Sequence, residues 1–259
     1  MMNRITPIVR HLLIINVVIW VGMMLLSQAG GGFVYDEYFS LHKPNVLGLQ
    51  NEVIVDHEGY LLPNRLELAS GEVITGNEIQ EYVSASSRLS SQVKQYFPKA
   101  DMFQPLQIVT YFFSHSLTSF THILFNMLAL FFLGPILEMV LGQKRFLRFY
   151  LFCGVFAGIM LALFDPSPAP VVGASTAVSG VLVAFAMMFP KQKLYLIFLP
   201  FGFEARWFAL GMAGISLIFS VMAYFDPTAG GGISHFGHLA GMLGAVVYFY
   251  VERFLPNPS

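Results

Sequence analysis

The sequence predicts an all-α membrane protein in which six helices cross the bilayer. Of the 259 residues, 56% are hydrophobic and only 11% are charged, whereas soluble domains average about 45–50% and about 25%. Apolar segments also recur at the length of a membrane-spanning helix, which needs about 20 mainly apolar residues. The six segments are His11–Ser27, Leu117–Leu141, Phe146–Phe164, Ser175–Phe189, Arg206–Phe225 and Ser234–Leu255. The net charge of −1 gives no basic surface that would indicate nucleic-acid binding.

The first apolar segment follows a short basic N-terminus, in the charge order of a secretory signal peptide. The residues that follow it, Ser27 to Gly30, form a poor cleavage site, and further apolar segments come after them. We therefore predict a retained first transmembrane helix.

Charge is distributed unevenly between the two sets of loops. With the N-terminus in the cytoplasm, the cytoplasmic segments contain Arg4, Arg10, Lys144, Arg145, Arg148, Lys191, Lys193, Arg206 and Arg253. The short loops on the opposite side contain Asp165 and Asp226 and no Lys or Arg. This agrees with the positive-inside rule. It predicts a multi-pass protein of the bacterial inner membrane with both termini in the cytoplasm.

A long acidic segment, Ala29–Gln104, separates the first two spans. It contains ten Asp or Glu and five Lys or Arg, and long loops cross a membrane largely regardless of charge. Short strands are predicted at Glu52–Val55 and Glu72–Thr75, and a polar helix at Asn77–Gln95 with Asn77 as its cap. The polar composition also fits a solvated, partly disordered loop. The predicted units are residues 1–28, an extracytoplasmic insertion at 29–104 and a core at 105–259.

Several polar residues fall within the spans, where they are costly and usually face a protein interior or a water-filled cavity. His122 and Asn126 are four residues apart and therefore share one helix face. Ser175 opens a helix, where free backbone N–H groups can stabilise an oxyanion. His238 precedes Gly241, whose small size lets another helix approach. Each also has a structural explanation, which is capping for the serine and hydrogen bonding between helices for the others.

Depth in the membrane connects these residues. At about 1.5 Å per residue, Ser175, His238 and Asn126 lie about 24, 22 and 24 Å above the cytoplasmic ends of their helices. The hydrocarbon core is about 30 Å thick, so three helices place polar groups at one level below the outer surface. The helix from Ser175 is too short to span fully and is expected to begin beside a water-accessible cavity.

Together these groups can supply an acyl-transfer site. Ser175 would attack a carbonyl carbon, and His238 would take its proton and later give one to the leaving amine. The Ser175 N–H, the Asn126 amide and the His122 ring would hold the oxyanion. The nearest acidic residues lie in loops rather than in spans, which favours a Ser–His dyad over a triad.

The set of motifs resembles the rhomboid family of intramembrane proteases, and the likeness covers most of the chain. The matching motifs are His122-x-x-x-Asn126 on the second span, Gly173-x-Ser175 at the start of the fourth, His238-x-x-Gly241 on the sixth, and the spacing Gly134…Glu138…Gly142.

The resemblance implies hydrolysis of peptide bonds in or near transmembrane segments of membrane-protein substrates, within a lipid bilayer. It implies that no metal or cofactor is needed. By the same resemblance, Ser175 and His238 form the catalytic dyad, and His122 and Asn126 are oxyanion residues.

The sequence also leaves rivals and departures from the family pattern. His235 competes with His238 as the base, although the glycine three residues later favours His238. His115 lies seven residues before His122, where related proteins show a shorter spacing. Thr176 replaces the usual glycine after the serine, and its β-branched side chain is expected to crowd the oxyanion region.

Two other functions stay open on sequence grounds. A catalytically inactive rhomboid-like protein that binds or escorts membrane clients would share the fold. Inactive relatives usually lack the serine or the histidine, and both are present here. A transporter or channel could also place polar helix breaks near mid-membrane. That function predicts paired repeats, and none is evident in the sequence.

Overall fold

The computed structural model describes residues 5–42, 53–55, 61–63, 65–67, 73–75, 77–85, 103–165, 170–195, 200–225 and 231–252. The helices in these ranges are α1 (Pro7–Leu26), α2 (Gly32–Val34), α3 (Asn77–Ser84), α4 (Gln107–Thr110), α5 (Phe120–Leu141), α6 (Gln143–Phe164), α7 (Ser175–Met188), α8 (Ala205–Phe225) and α9 (His235–Glu252). Short π-helical turns, Ser27–Gly31 and Tyr35–Phe39, flank α2, and a 3₁₀ turn, Tyr111–Phe113, follows α4.

The strands pair only as short antiparallel hairpins within the described ranges. They are β1 (Val53–Val55) with β2 (Leu61–Pro63), β3 (Arg65–Glu67) with β4 (Val73–Thr75), and β5 (Lys193–Tyr195) with β6 (Gly202–Glu204). The first two hairpins belong to the insertion, and the third lies between α7 and α8.

A helix lies at each of the six predicted spans, which confirms the mostly helical class. Four segments have the length and apolar composition needed to cross a membrane: Pro7–Gly31, Phe120–Leu141, Gln143–Phe164 and Ala205–Phe225. α7 is apolar but has only 14 residues, and α9 has 18. The shortness of α7 matches the expectation that this helix does not span fully.

Several boundaries differ from the prediction; α5, for example, begins at Phe120 rather than Leu117. α1 begins at Pro7 rather than His11, because proline suits the first helical position, where its missing N–H is not needed. The predicted connection Gly142–Arg145 is reduced to Gly142, whose φ of 78° permits the sharp turn between α5 and α6. The connection Pro190–Ala205 contains the β5–β6 hairpin, which was not predicted.

α7 lies at the centre of the helix bundle. It contacts α5, α6, α8 and α9, and its residues are almost all apolar or small, so protein can surround it on every side. The fully buried side chains of the bundle core include Tyr111, Phe112, Leu130, Leu137, Phe146, Phe149, Tyr150, Leu161 and, on α7 itself, Phe185. α1 and α8 lie at the periphery, where Val18 and Leu210 are 62% and 61% exposed. Such continuous apolar faces suit contact with lipid.

α7 and α9 approach each other closely enough for their backbones to touch. A Cβ added to Gly241 would lie 1.9 Å from the Thr176 carbonyl oxygen. One added to Gly180 would lie 3.0 Å from the Gly241 oxygen and 2.7 Å from Cys153 Sγ. Only glycine fits at these positions, and the contact fixes the first turn of α7 against α9.

A buried carboxylate on α5 caps the start of α1. Glu138 is 2% exposed and accepts hydrogen bonds from the Ile8 N–H at 3.0 Å and the Val9 N–H at 2.9 Å. These are among the N–H groups that a helix leaves without partners at its start, and an anion there also interacts favourably with the helix dipole. Gly134, one turn earlier, leaves room for the Val9 side chain.

We expect the substitution Glu138→Ala to lower the free energy of unfolding by about 1–3 kcal/mol, because the buried Val9 N–H and the half-buried Ile8 N–H would lose their acceptor. Glu138→Gln should cost less, since one amide oxygen can still accept. Thermal unfolding in detergent measures the effect, with Met139→Ala as control because Met139 is 68% exposed on the same helix. Equal melting temperatures for Glu138→Ala and the wild type would show that the cap contributes nothing.

The insertion has a small apolar core of its own. Ile74 of β4 and Ile79 and Val83 of α3 are buried. The Thr75 N–H donates to Glu78 Oε2 at 3.1 Å, which links the end of β4 to the start of α3. β1 and β4 coincide with the two predicted strands, whereas β2 and β3 were not predicted.

The helix predicted at Asn77–Gln95 was too long. α3 ends at Ser84, and Ala85 lies in a turn. Serine competes for backbone hydrogen bonds and is a weak helix former, and the predicted helix runs into a serine-rich stretch at this point. Residues 86–95 lie outside the described residues.

The first part of the insertion, up to residue 42, returns to the bundle core. Leu41 is fully buried and pairs with Val171, donating to its oxygen at 2.8 Å and accepting from its N–H at 3.0 Å. The buried Gln107 side chain accepts from the His42 N–H at 3.1 Å and donates to the Glu37 carbonyl at 2.8 Å. The insertion therefore leaves the bundle beside the segment that leads to Ser175.

Candidate active site

Ser175 is the first residue of α7 and follows a tightly held turn. Gly173 has a φ of 129°, which side chains rarely allow, and its N–H donates to the Tyr111 carbonyl at 3.0 Å. The pairing of Leu41 with Val171 holds the same segment from a second direction. The first turn of a helix has N–H groups without intrahelical partners. Ser175 thus lies beside backbone donors and the positive end of a helix dipole.

Thr176, next to the predicted nucleophile, is packed away from solvent and is 1% exposed. The Tyr111 hydroxyl donates to the Gly154 carbonyl at 2.8 Å. Its proton is therefore used, and Thr176 Oγ1 donates to the Tyr111 oxygen at 3.0 Å. Thr176 Cγ2 lies 3.1 Å from a Cβ built on Gly237. The side chain that was expected to crowd the oxyanion region is held between Tyr111 and α9.

His238 lies in the first turns of α9, at the end that meets α7. Ser234 caps this helix: its Oγ accepts from the Gly237 N–H at 3.2 Å, and its carbonyl accepts from the His238 N–H at 3.1 Å. Gly237 and Gly241 both contact Thr176. They mark the face of α9 that is turned toward the start of α7.

Helix geometry separates the two candidate bases. At 3.6 residues per turn, His238 is rotated about 60° from Gly241, and His235 about 120°. The His235 ring stacks on Phe219 of α8, with centroids 4.7 Å apart and planes at 17°. It meets the His238 ring edge-on at 5.9 Å. His235 is therefore turned toward α8, and His238 is the histidine closer to the α7 face.

Within the described residues, no hydrogen bond joins Ser175 Oγ to the His238 ring. Catalytic hydrogen bonds are often long in the absence of substrate and shorten in the Michaelis complex. The structure brings the first turn of α7 and the first turns of α9 together.

The His122 ring lies directly beside the turn at Gly173 that precedes Ser175. Its Nε2 is 2.7 Å from the position that a Cβ on Gly173 would occupy, and Ser175 Oγ is 3.6 Å from the same position. The Ser116 N–H donates to His122 Nδ1 at 3.2 Å. A neutral imidazole whose Nδ1 accepts carries its proton on Nε2. The ring therefore presents an N–H donor on the side of Ser175.

Asn126 lies one turn along α5 from His122 and is 7% exposed. Its Nδ2 donates to the His122 carbonyl at 2.8 Å. An amide nitrogen has two N–H groups, so one hydrogen remains for an oxyanion. The first hydrogen bond fixes the orientation of the amide relative to the His122 turn.

The comparison with protein families decides the classification. A family model described as Rhomboid domain matches residues 102–253, which is more than half of the chain. The chain belongs to the rhomboid family. The match includes every predicted site residue, and α1 and almost all of the insertion lie outside it.

Two similar proteins carry rhomboid names. The chain is 31% identical over 157 residues to Rhomboid protein 1, mitochondrial, of Saccharomyces cerevisiae, an alignment that covers 57% of this chain and 42% of that protein. It is 38% identical over 69 residues to YdcA of Bacillus subtilis, named as a candidate rhomboid protease, covering 27% and 35% of the two chains. The alignments thus span less than half the length of each relative.

Three residues of this rhomboid site were missed by sequence reasoning: Tyr111, Ser116 and Ser234. Ser234 carries a local signal, because a serine just before a helical segment is a preferred cap. Tyr111 and Ser116 carry none, because tertiary packing brings them to their partners. Their roles depend on where α4 and the turn before α5 are placed against α6 and α7.

Proposed function

We propose that this rhomboid is an intramembrane serine endopeptidase with Ser175 as nucleophile and His238 as its base. Its substrates are membrane proteins, cut at peptide bonds in or near their transmembrane segments. The observation that carries the proposal is the meeting of three elements at the start of α7. These are the turn that presents Ser175, the Nε2 of His122, and the glycine face of α9 next to His238.

The reaction proceeds through an acyl-enzyme. His238 takes the Ser175 proton as Oγ attacks the carbonyl carbon, and it gives a proton to the amine nitrogen as the peptide C–N bond breaks. The Ser175 N–H, the His122 Nε2–H and the Asn126 amide stabilise the oxyanion. Water then attacks the ester by the same route and restores the serine.

The chain's own groups carry these steps. The helix-start N–H donors and the neutral His122 ring supply the polarising groups that an acyl transfer needs. Activity is therefore expected from the purified protein without an added cofactor.

Two contacts support a topology of six spans with both termini on the cytoplasmic side of a bacterial inner membrane. Glu138, near the end of α5, holds the start of α1, and Arg145, at the start of α6, pairs with Glu252 of α9 at 2.5 Å. Since α5 and α6 meet at Gly142, the start of α1 and the end of α9 lie at one end of the bundle. The basic residues at that end favour the cytoplasm.

In this topology the insertion at 29–104 is extracytoplasmic, and residues 105–259 form the catalytic core behind the first helix at 1–28. The pairing of Leu41 with Val171 supports a position of the insertion near the site mouth. Deleting residues 47–95 should then alter substrate choice or rate. If folding, rate and substrate choice are all unchanged, the insertion has no role in the proposed function.

The substitution His238→Ala should lower kcat for cleavage by about 10²–10⁴-fold, because general-base catalysis contributes about that factor. His235→Ala is the matched variant on the same helix and should keep most of the activity, since its ring stacks on Phe219. Initial rates on one transmembrane substrate compare the two. A larger loss in His235→Ala than in His238→Ala would reverse the assignment of the base.

The function is tested by incubating the protein, purified in detergent, with a model transmembrane substrate and, separately, with a fluorophosphonate probe. Cleavage together with labelling of Ser175 supports the protease. A folded protein that binds the substrate but neither cuts it nor reacts with the probe is an inactive rhomboid-like client-binding protein. Ion or solute flux through liposomes carrying the protein would instead indicate a transporter.

A further inference from the structure

α1 contains a buried polar residue that needs an explanation. Most of this helix faces outward, yet Asn16 is fully buried, and a polar side chain at membrane depth usually marks a functional or paired position. The Asn16 Nδ2 donates to the Leu12 carbonyl of its own helix at 2.8 Å. This bond turns the amide oxygen away from α1 and toward the segment that precedes α5.

The partner of that oxygen is His115, whose side chain is fully buried. The Asn16 Oδ1 lies 3.0 Å from His115 Nε2, and because the oxygen can only accept, His115 Nε2 carries the proton. Burial lowers the pKa of His115 to about 3, with a smaller contribution from the nearby His122. The neutral form of the ring is therefore favoured, and in that form its Nε2–H can donate to Asn16.

Two further donors from the N-terminal part of the chain hold the same segment. The Trp20 Nε1–H donates to the Ser116 carbonyl at 3.0 Å, and the Tyr35 hydroxyl donates to the His115 carbonyl at 3.0 Å. His115 and Ser116 lie between a 3₁₀ turn and α5, in neither helix nor strand, so their backbone groups need partners from elsewhere. All three anchors lie outside the range matched by the rhomboid family model.

The anchored segment in turn holds the His122 ring. The Ser116 N–H donates to His122 Nδ1 at 3.2 Å, and the His115 and His122 rings meet edge-on with centroids 5.3 Å apart. The Ser116 Oγ also accepts from the Ser119 N–H at 3.2 Å, which shapes the turn into α5. A shift of this segment would move the Ser116 N–H, the donor that fixes which nitrogen of His122 carries the proton.

We propose that Asn16 and Trp20 of the first helix are positioning residues for the oxyanion site. They hold the His115–Ser116 segment, which fixes the His122 ring with its Nε2–H directed at the start of α7. The inference rests on the proposed function, in which that Nε2–H stabilises the oxyanion beside Ser175. It gives the first helix a role in catalysis that does not require contact with substrate.

The test uses two conservative variants of the full chain. Asn16→Leu removes the acceptor at similar volume, and Trp20→Phe removes the indole N–H but keeps a ring against Phe120, whose centroid is 6.0 Å away. The matched control is Trp207→Phe, because Trp207 is 60% exposed on α8. The readouts are kcat and KM for one transmembrane substrate, the rate of fluorophosphonate labelling, and the ¹⁵N signals of the His122 ring.

We expect kcat and the labelling rate to fall about ten- to a hundredfold in both variants, since loss of a whole oxyanion donor costs about 10²–10³. KM should stay within about twofold, because substrate binding in the ground state is not affected. The ¹⁵N signals of His122, identified by their absence in His122→Gln, should show loss of the single Nε2–H tautomer. Trp207→Phe should match the wild type in every readout.

A merely structural role predicts a different pattern. Lower melting temperatures with unchanged kcat and unchanged His122 signals in both variants would overturn the inference. If Asn16→Leu does not fold, Trp20→Phe decides on the same readouts. If the wild type neither cleaves nor reacts with the probe, the proposed function fails, and the ¹⁵N signals alone then test the positioning. Unchanged signals in the variants would overturn it in that case too.

Discussion

Replacing Ser175 with alanine is expected to abolish peptide cleavage while leaving the fold intact. The substitution removes the only atom that can form the acyl-enzyme in the proposed mechanism, and loss of a nucleophilic serine costs about 10⁴-fold or more in kcat. The Ser175 side chain is half-buried at the first position of α7, so its loss leaves little empty space. Initial cleavage rates on a transmembrane substrate, together with the melting temperature in detergent, measure both parts of the prediction.

The chain offers a matched control for this variant. Ser179 lies one turn further along α7 and is also half-buried, but it is not at the helix start and has no free N–H groups beside it. Ser179→Ala should keep wild-type activity and stability. Equal cleavage by Ser175→Ala and the wild type would refute the assignment of the nucleophile. Loss of activity in both variants with lowered melting temperatures would mean that packing of α7, rather than chemistry, was measured.

The general class of the fold could be predicted from the sequence because its signal is local. Each long helix is predicted by its own run of apolar residues, because the thickness of the bilayer sets the length that such a run needs. The glycines that allow close packing are also local signals, as at Gly241. For the same reason the sequence alone could assign Ser175, His122 and Asn126 to particular helices.

The contacts that complete the bundle could not be predicted, because each joins parts of the chain that are far apart. Glu138 meets the backbone of α1 about 130 positions away, at Ile8 and Val9. Leu41 pairs with Val171, 130 positions further along the chain. A buried glutamate gives no sequence signal of whether its partner is a cation, a helix start or water. Three-dimensional packing alone selects the partner.

The residues of the candidate site also fall into two groups: some have a local sequence signal, and others are fixed by contacts with distant parts of the chain. Ser234 could have been recognised as a cap from its place before α9. Thr176 is the opposite case. Its β-branched side chain is unfavourable beside a nucleophile on local grounds, and the contact that accommodates it comes from a distant part of the chain. Tyr111, which accepts its hydroxyl hydrogen bond, is fixed by Gly154 of another helix. The departure from the family's glycine is thus accommodated by a tyrosine that the local pattern does not reveal.

The substitution Gly241→Ala is expected to be the most damaging single change in the bundle. An added Cβ would lie 1.9 Å from the Thr176 carbonyl oxygen and 2.7 Å from its carbonyl carbon. These are backbone atoms of α7 and cannot turn aside as a flexible side chain can, so the two helices must separate. Inserting one methyl group into a packed core costs about 1–3 kcal/mol, and a clash with backbone should reach or exceed the upper end of that range.

The loss of stability should be accompanied by a loss of activity, because Thr176 follows Ser175 directly. Displacing Thr176 would move Ser175, the proposed nucleophile, away from His122 and α9. Melting temperature in detergent and the rate of fluorophosphonate labelling should therefore fall together in Gly241→Ala.

Gly214→Ala on α8 is the control, since nothing lies within 4 Å of a Cβ at that position. Gly237→Ala should fall between the two, because its nearest neighbour, at 2.8 Å, is the Ser234 hydroxyl, a side-chain atom that can rotate. A Gly241→Ala protein with wild-type melting temperature and labelling rate would contradict the backbone contact between α7 and α9, on which the proposed pairing of His238 with Ser175 depends.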